Sequence, residues 1–339
     1  MPLHPFFEAM TKRISEIMES QDLPPFRDRN TEEILEARKN YELLQPPAPH
    51  IEVGRVENIE IDGPESKIPV RIYRPKSNSD DPLPILLYFH GGGFHFGSSD
   101  THDGSNRLLC NLVDCIVISP DYRLAPEHLY PAAHDDCWAT LNWVYEHAKQ
   151  LGGDRERIAI AGDSAGGSLT IGMAVRAREN GHPKLCFHAP IVAGDGKFTE
   201  ISSDGKMLDP MLTIDSACSM VGRYLGAWNP DNPELECSKN WSTDLDIVDS
   251  DGNVQIPKRY DLFPESLQDL CPAICVAAEF DVCTEGMKRY AEGLKHAGVP
   301  TVYYEGKGMM HAFTAMAHLN EDLKKELEKV AEFMKDAFS

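Results

Sequence analysis

Arg157-Ile158-Ala159-Ile160-Ala161-Gly162-Asp163-Ser164-Ala165-Gly166-Gly167-Ser168-Leu169-Thr170-Ile171-Gly172-Met173-Ala174-Val175 decides the reading of this 339-residue chain. Its first five residues are short and mostly apolar, as a buried strand is, and the stretch from Gly167 onward reads as a helix. Between them lies Gly-x-Ser-x-Gly, the pattern of a strand-to-helix turn so tight that its serine is held in a strained conformation. Glycines two residues to either side remove the side chains that would clash. The Ser164 hydroxyl should then project from the top of a sheet, beside a helix N-terminus whose free N–H groups favour negative charge. A glycine-rich turn with a bystander serine would share the same five letters, so the rest of the chain must decide.

Upstream, the apolar run Pro84-Ile85-Leu86-Leu87-Tyr88-Phe89 leads straight into His90-Gly91-Gly92-Gly93-Phe94. Acyl transfer needs donors where a carbonyl oxygen becomes an oxyanion, and successive glycines let bare backbone N–H groups reach that point. A phosphate cradle is the other use of such a run. Here no Gly-Lys-Ser/Thr follows, and Gly92 and Gly97 match a G-x-G-x-x-G spacing only in part.

Downstream come the remaining members of a triad, in the order serine, acid, histidine. Ala273-Ile274-Cys275-Val276-Ala277-Ala278-Glu279-Phe280-Asp281 reads as a strand ending in an acid. Thr301-Val302-Tyr303-Tyr304-Glu305 reads as another, followed by a loop carrying His311. Ligands of open α/β sheets bind outside the C-terminal ends of strands, where all three groups would meet. His311 is then the base for Ser164, and Asp281 orients its ring. Glu279 competes for the acid role but should lie within the strand rather than at its exit.

Along the chain, residues 1–45 hold two helical patterns, the first with Phe6, Phe7, Met10, Ile14 and Ile17 on one face. Thr31-Glu32-Glu33 starts the second as a capped helix rich in early carboxylates. Pro46-Pro47-Ala48-Pro49 is a linker. Strands over 53–61 and 68–73 make an antiparallel start, and from there strands (84–89, 115–119, 157–161, 185–189, 273–278, 301–305) alternate with helices. That alternation predicts an α/β class with a mostly parallel central sheet and helices on both faces. A closing helix from Leu319 to Phe338 puts Leu323, Leu327, Val330 and Met334 on one packing stripe. Residues 195–269 fall outside the alternation and carry Met207, Leu208, Met211, Ile214, Met220, Tyr224, Leu225 and Trp228 at helix-like spacing, either as core or as a ligand-lining face.

Taken together, these residues resemble the hormone-sensitive-lipase-like (family IV) carboxylesterases of the α/β-hydrolase superfamily. The resemblance rests on His90-Gly91-Gly92-Gly93, on Asp121-Tyr122-Arg123-Leu124-Ala125-Pro126-Glu127-His128-Leu129-Tyr130-Pro131-Ala132-Ala133 with Asp135-Asp136, and on Gly162-Asp163-Ser164-Ala165-Gly166-Gly167. To these it adds Glu279-Phe280-Asp281-Val282 and Gly308-Met309-Met310-His311-Ala312-Phe313. It implies an α/β-hydrolase fold over residues 46–339, with residues 1–45 and the insertion at 195–269 forming a cap over Ser164. It also implies oxyanion donors at the N–H groups of Gly92, Gly93 and Ala165, and hydrolysis of short- to medium-chain or small-molecule esters without cofactor. Met207, Met211 and Leu225 are the candidate substrate-lining residues. Some relatives use the same pocket for elimination or cyclisation, and some are small-molecule receptors that have lost the histidine, which is present here as His311. Val282 stands where relatives often carry proline, and residues 229–269 form a longer segment than usual. His95 and His102 should sit near the pocket without a catalytic partner, Arg123 and His128 should be scaffolding, and Asp163 should brace the turn through nearby backbone.

Composition fits such an enzyme. Hydrophobic residues at 42% and charged residues at 26% support a sizeable core. A formal net charge of −21 argues against nucleic acid or an anionic membrane as partner. The start of the chain lacks the basic and long apolar segments of a signal peptide, and no run is long enough to span a membrane. A cytoplasmic protein follows as the expectation, with nine cysteines as reduced thiols and a homodimer as the expected assembly. Cys110/Cys115 and Cys271/Cys275 are spaced too loosely for a zinc ribbon, and no metal is expected. The sequon Asn240-Trp241-Ser242 carries no meaning without a secretory route.

Overall fold

The computed structural model describes residues 2–21, 24–43, 50–77, 81–193, 198, 212–226 and 266–339. In chain order these form α1 (Pro5–Gln21), α2 (Thr31–Leu43), β1 (Arg55–Asp62), β2 (Lys67–Arg74), β3 (Leu83–Phe89), α3 (Asp103–Val113), β4 (Ile116–Pro120) and α4 (Ala132–His147). They continue with β5 (Gly153–Asp163), α5 (Ala165–Asn180), β6 (His188–Ile191), α6 (Ile214–Tyr224), β7 (Ala273–Phe280), α7 (Thr284–His296), β8 (Thr301–Met310) and α8 (Glu321–Ala337).

All eight strands join one sheet in the order β1-β2-β4-β3-β5-β6-β7-β8. β1 and β2 pair antiparallel, as does β2 with β4, and every later pairing is parallel. The central strands are apolar nearly throughout because both their faces are covered. Alternation then sends successive side chains to opposite layers. Ile85, Leu87 and Phe89 of β3 join the cluster beneath α4, α5 and α7, whereas Leu86 and Tyr88 join the one beneath α3 and α8. The stripe expected on the last helix is buried as predicted: Leu323, Leu327, Val330 and Met334 are fully covered. Each such side chain contributes roughly 1.5–3 kcal/mol.

Chain direction sets where the site must be. From β3 the chain steps to β4 on one side, then returns to β5 on the other. That reversal opens a crevice at the C-terminal ends of β3 and β5, the topological switch point of an open α/β sheet. The His90-Gly91-Gly92-Gly93 segment leaves β3 there, and Ser164 leaves β5.

The N-terminal helices fold back on this end, in a way the sequence reading only half anticipated. α2 opens with a capping box: Asn30 Oδ1 accepts from the Glu33 N–H at 2.9 Å, and Glu33 Oε2 accepts from the Asn30 N–H at 2.7 Å. The apolar face of α1 packs into the core layer beneath α3 and α8, with Phe7 fully buried and Phe6 and Met10 against it. It is α2 that reaches the crevice. Arg38 donates to the His95 carbonyl at 2.6 Å, to the Ala125 carbonyl at 2.5 Å, and through both amino groups to the Glu127 carboxylate at 2.8 Å. Arg223 on α6 donates to the Arg27 carbonyl at 2.8 Å and also to that of Arg29, binding α6 to the chain entering α2.

Arg38 is therefore the strap over the loop that follows β3. Arg38→Ala should cost about 1–3 kcal/mol of unfolding free energy, because it strips charge-assisted hydrogen bonds from partly buried carbonyls. Hydrogen exchange should speed up at the His95 and Phe96 amides, which bond to the Gly92 carbonyl at 3.0 and 2.9 Å. Arg38→Lys should recover only part of the loss, since an ammonium cannot replace the fork on Glu127. Unchanged exchange at both amides in Arg38→Ala would show that the loop is held without the strap.

Candidate active site

Ser164 is the residue between β5 and α5, with φ of 55° and ψ of −119°. A non-glycine residue at positive φ carries strain, of order 1–3 kcal/mol, which its surroundings must over-determine. They do so through packing that leaves no room for neighbouring side chains. A Cβ on Gly162 would stand 2.4 Å from the Gly166 carbonyl oxygen, and one on Gly166 would stand 2.0 Å from that of Phe89. The Ser164 N–H donates to the Ile191 carbonyl at 2.8 Å, anchoring the turn to β6. α5 begins at Ala165, so its first N–H groups have no partner within the helix, and Ala165 lines the cavity.

His311 follows β8 directly, because that strand runs on to Met310 rather than ending near Glu305 as the sequence suggested. Its Nε2 lies 2.8 Å from Ser164 Oγ, and its Nδ1 lies 2.8 Å from Asp281 Oδ1. Asp281 is the first residue beyond β7 and is fully buried. Oδ1 also accepts from the Cys283 N–H at 2.9 Å, while buried Oδ2 has no hydrogen-bond partner among the described residues. Glu279 lies within β7, and its carboxylate accepts from the Gly308 N–H at 2.8 Å. It thus fastens the strand that leads to His311. Serine, histidine and a buried carboxylate in series can move a proton off the serine and hold the resulting imidazolium.

Opposite the serine, Gly92 and Gly93 take φ values of 120° and 61°, which L side chains rarely adopt. Space is equally restrictive: a Cβ on Gly92 would meet the Phe96 carbonyl oxygen at 2.1 Å, and one on Gly93 the Met220 sulfur at 2.2 Å. Both glycines, with Ser164, Ala165 and His311, wall a cavity of about 240 Å³. The other walls are mainly apolar and include Tyr41, Phe96, Met220, Val221 and Met316.

The polar residues around this loop are structural. His90 stacks on Tyr122 at 4.2 Å and donates from Nδ1 to the Gly91 carbonyl, while His95 donates from Nδ1 to that of Gly93 at 2.7 Å. Burial pushes their pKa values down to about 3 and about 4, so both rings are neutral. Asp163 does not brace its turn through nearby backbone, as expected from sequence. Its side chain points beneath the glycine loop, where it accepts from Tyr88 Oη at 2.9 Å and sits 3.2 Å from His102 Nε2. Burial works to raise the Asp163 carboxyl, but His102 and the Tyr88 hydrogen bond outweigh it and hold the pKa below the usual value. His102 thus pairs with Asp163, the chain neighbour of Ser164, and not with Ser164, His311 or Asp281. Arg123 grips Asp136 through Nε and one amino group, both at 2.9 Å, as scaffolding would, whereas His128 is exposed.

The lining residues were the least legible part. Met207 and Met211 lie outside the described residues. Leu225 follows Val221 by one turn, beyond the end of α6, and packs against the core instead of the cavity. Met220 and Val221 take that place. Met220 belonged to the apolar spacing seen in the sequence, whereas nothing in the sequence pointed to Tyr41.

Buried neutral histidines have a pH consequence. Burial lowers His90 and His134 to about 3, and His95 and His188 to about 4. The unfolded chain binds protons at these sites below about 6.5 whereas the folded chain refuses them, so stability must fall as pH drops from there toward 4. Urea unfolding at pH 7.5, 6 and 5 should give a falling midpoint. A midpoint that holds steady or rises toward pH 5 would contradict these environments.

A family model described as the α/β hydrolase fold matches residues 86–315. The chain is 36% identical over 300 residues to esterase LipI of Mycobacterium tuberculosis, covering 87% of this chain and 86% of that protein. With the arylesterase of Saccharolobus solfataricus it shares 33% identity over 276 residues, 81% of this chain and 82% of that one. An esterase structure from Pyrobaculum calidifontis superposes with a TM-score of 0.76 at 28% identity, over 99% of both chains. With the nucleophile turn, the glycine loop and the strand-end histidine all in one crevice, the chain belongs to the α/β-hydrolase-fold family of carboxylesterases, in the hormone-sensitive-lipase-like group.

Proposed function

We propose that this carboxylic ester hydrolase works through an acyl-enzyme on Ser164. The observation that carries the reading is the unbroken series Ser164 Oγ, His311 Nε2, His311 Nδ1 and Asp281 Oδ1, with 2.8 Å at each hydrogen bond. As Ser164 Oγ bonds to the ester carbonyl carbon, its proton passes to His311 Nε2. Asp281 keeps the ring oriented and offsets the imidazolium charge. The carbonyl oxygen, now negative, is met by the N–H groups of Gly92, Gly93 and Ala165. Collapse of that intermediate breaks the bond to the leaving alcohol, which takes the proton from His311. Water then repeats the sequence, losing its proton to His311 and releasing the acid and free Ser164.

The same reading makes α2, within residues 1–45, and α6, within residues 195–269, the described part of a cap over this site. Support comes from Tyr41 of α2 and from Met220 and Val221 of α6, which wall the cavity, and from Arg223, which links the two segments. Substrates are then neutral esters with a short to medium acyl chain. No helix among the described residues is long and apolar enough to cross a membrane. A cytoplasmic location and a homodimer complete the proposal. β8 ends the strand order and, among the described residues, its outer edge is unpaired, with Val302 exposed, which offers a surface for the second copy.

Ser164→Ala should lower kcat by several orders of magnitude, and Asp281→Asn by about four, the size seen when an orienting acid is neutralised. Glu279→Gln should be far milder in kcat. Folded protein in which the Glu279 change is the more damaging would reverse the assignment of the acid.

Chain length tests the cavity. Each methylene that fits gains roughly 0.8 kcal/mol of burial, and overpacking beyond the wall costs about 1–3 kcal/mol. Across p-nitrophenyl esters, kcat/KM should peak near butyrate to hexanoate and then fall steeply. Tyr41→Ala should shift the peak to longer chains. A continued rise toward palmitate would mean an open groove, and an unshifted peak in the variant would remove α2 from the wall.

A further inference from the structure

We propose that Asp281, Cys283 and His311 form an inhibitory site for a thiophilic divalent cation, zinc above all. A carboxylate oxygen, a thiol sulfur and a ring nitrogen from these three residues lie within 4.8 Å of one another. Among the described residues, this is the one place where three such ligands gather. Ligand atoms on a tetrahedron of zinc–oxygen, zinc–nitrogen and zinc–sulfur bonds stand roughly 3.3–3.7 Å apart. Small rotations of Cys283 and His311 therefore bring all three to bonding distance.

Two features make this a site and not just a crowded corner. First, Asp281 is fully buried and its Oδ2 has no hydrogen-bond partner among the described residues, so a carboxylate oxygen is already desolvated and available. Second, Cys283 and His311 both line the substrate cavity, which gives an ion an entry path and leaves a fourth position for water. Donor chemistry selects the ion. A thiolate, an imidazole and a carboxylate suit zinc, whereas magnesium prefers oxygen ligands and dehydrates reluctantly.

Inhibition follows from the proton balance, and it rests on the catalytic roles proposed above. Nδ1 is the ring nitrogen beside Asp281. When zinc bonds to Nδ1, the single proton of the neutral imidazole resides on Nε2, so Nε2 can no longer accept the Ser164 proton. The Cys283 thiol gives its proton to buffer and bonds as thiolate. One dication, one carboxylate and one thiolate leave the site neutral. Removing the ion restores the hydrogen-bonded pair, so the block is reversible by chelation.

The test uses full-length protein stripped of metal. Zinc chloride should inhibit p-nitrophenyl butyrate turnover, magnesium chloride should not, and EDTA should restore the rate. Calorimetry on Ser164→Ala should show one zinc ion per chain, a readout independent of turnover. Cys283→Ala and Cys283→Ser, each compared with its own zinc-free rate, should need at least tenfold more zinc for half inhibition. The serine variant keeps the side-chain volume, so a folding defect in the alanine variant would not obscure the result. Equal zinc sensitivity in wild type and both variants would overturn the site, as would absence of stoichiometric binding. One ion bound per chain with turnover undiminished would overturn the inhibitory role and count against His311 as base. Zinc insensitivity in an enzyme still silenced by Ser164→Ala would sink this site alone and leave the acyl-enzyme reading standing.

Discussion

The carbonyl oxygen of Phe89 occupies the space where a side chain on residue 166 would have to go. A Cβ on Gly166 would lie 2.0 Å from it, and one on Gly162 2.6 Å. β3 and β5 pair in register, Phe89 beside Gly162, so this contact is a property of the sheet and not of a flexible loop. One residue past Phe89 the glycine loop begins, and two residues past Gly162 stands Ser164. The proposed oxyanion donors and the nucleophile are thus held at a spacing set by backbone pairing. Any side chain at the contact would wedge β3 from α5, and an error of about 1 Å at reacting atoms can cost 10²-fold in rate. The strain at Ser164 persists because the register and the Ile191 hydrogen bond leave the residue no alternative.

Around that rigid contact the loops have no ladder to hold them, and buried polar side chains do the work instead. Tyr88, Asp163 and His102 connect β3, β5 and the entry to α3 beneath the glycine loop. Arg123 and Asp136 fasten the segment between β4 and α4. An apolar replacement could fill the same volume, often at no loss of stability. It could not specify which carbonyl or hydroxyl each loop must face. The histidines nearby show the accompanying cost: His90 and His95 are kept neutral far below their usual pKa because the loop turns their rings inward.

What the sequence made legible was whatever a strand end presents. Parallel strands covered on both faces read as apolar runs, and Ser164, Asp281 and His311 each follow one, so topology alone gathers them at one edge. The reading failed where local pattern and tertiary pairing diverge. Gly306-Lys307-Gly308 looks like a loop, yet β8 continues through it by way of an irregularity in its pairing with β7, Ala278 opposite Gly306 and Phe280 opposite Met310, where the Glu279 carboxylate takes the Gly308 N–H. Phe6, Phe7 and Met10 make an apolar stripe that would suit a lid or a core equally well, and only packing sends it to the core. Nothing in the spacing of residues 88, 102 and 163 announces that their side chains meet. Leu225 failed for a simpler reason: one more turn of helix carries a residue past the cavity it was chosen to line.

The floor and the proposed roof of the cavity are held by different forces, and the difference bears on function. The floor consists of strand ends and α5, secured by ladder hydrogen bonds and two buried apolar layers. The roof elements are held by a mixture of ties: Arg38 of α2 donates to carbonyls and to Glu127, Ile34 of α2 packs with Phe26 and Phe96, Arg223 links α6 to the chain entering α2, and Tyr224 of α6 stacks on Phe94 and bonds to His134. Hydrogen bonds from a charged donor contribute about 1.5–3 kcal/mol each, far less than the cooperative unfolding of the sheet. Tyr41 and Met220 line the cavity from the roof and the paired strand ends line it from below, so on the proposed reading acyl selectivity and chemical competence are set by separable parts of one chain.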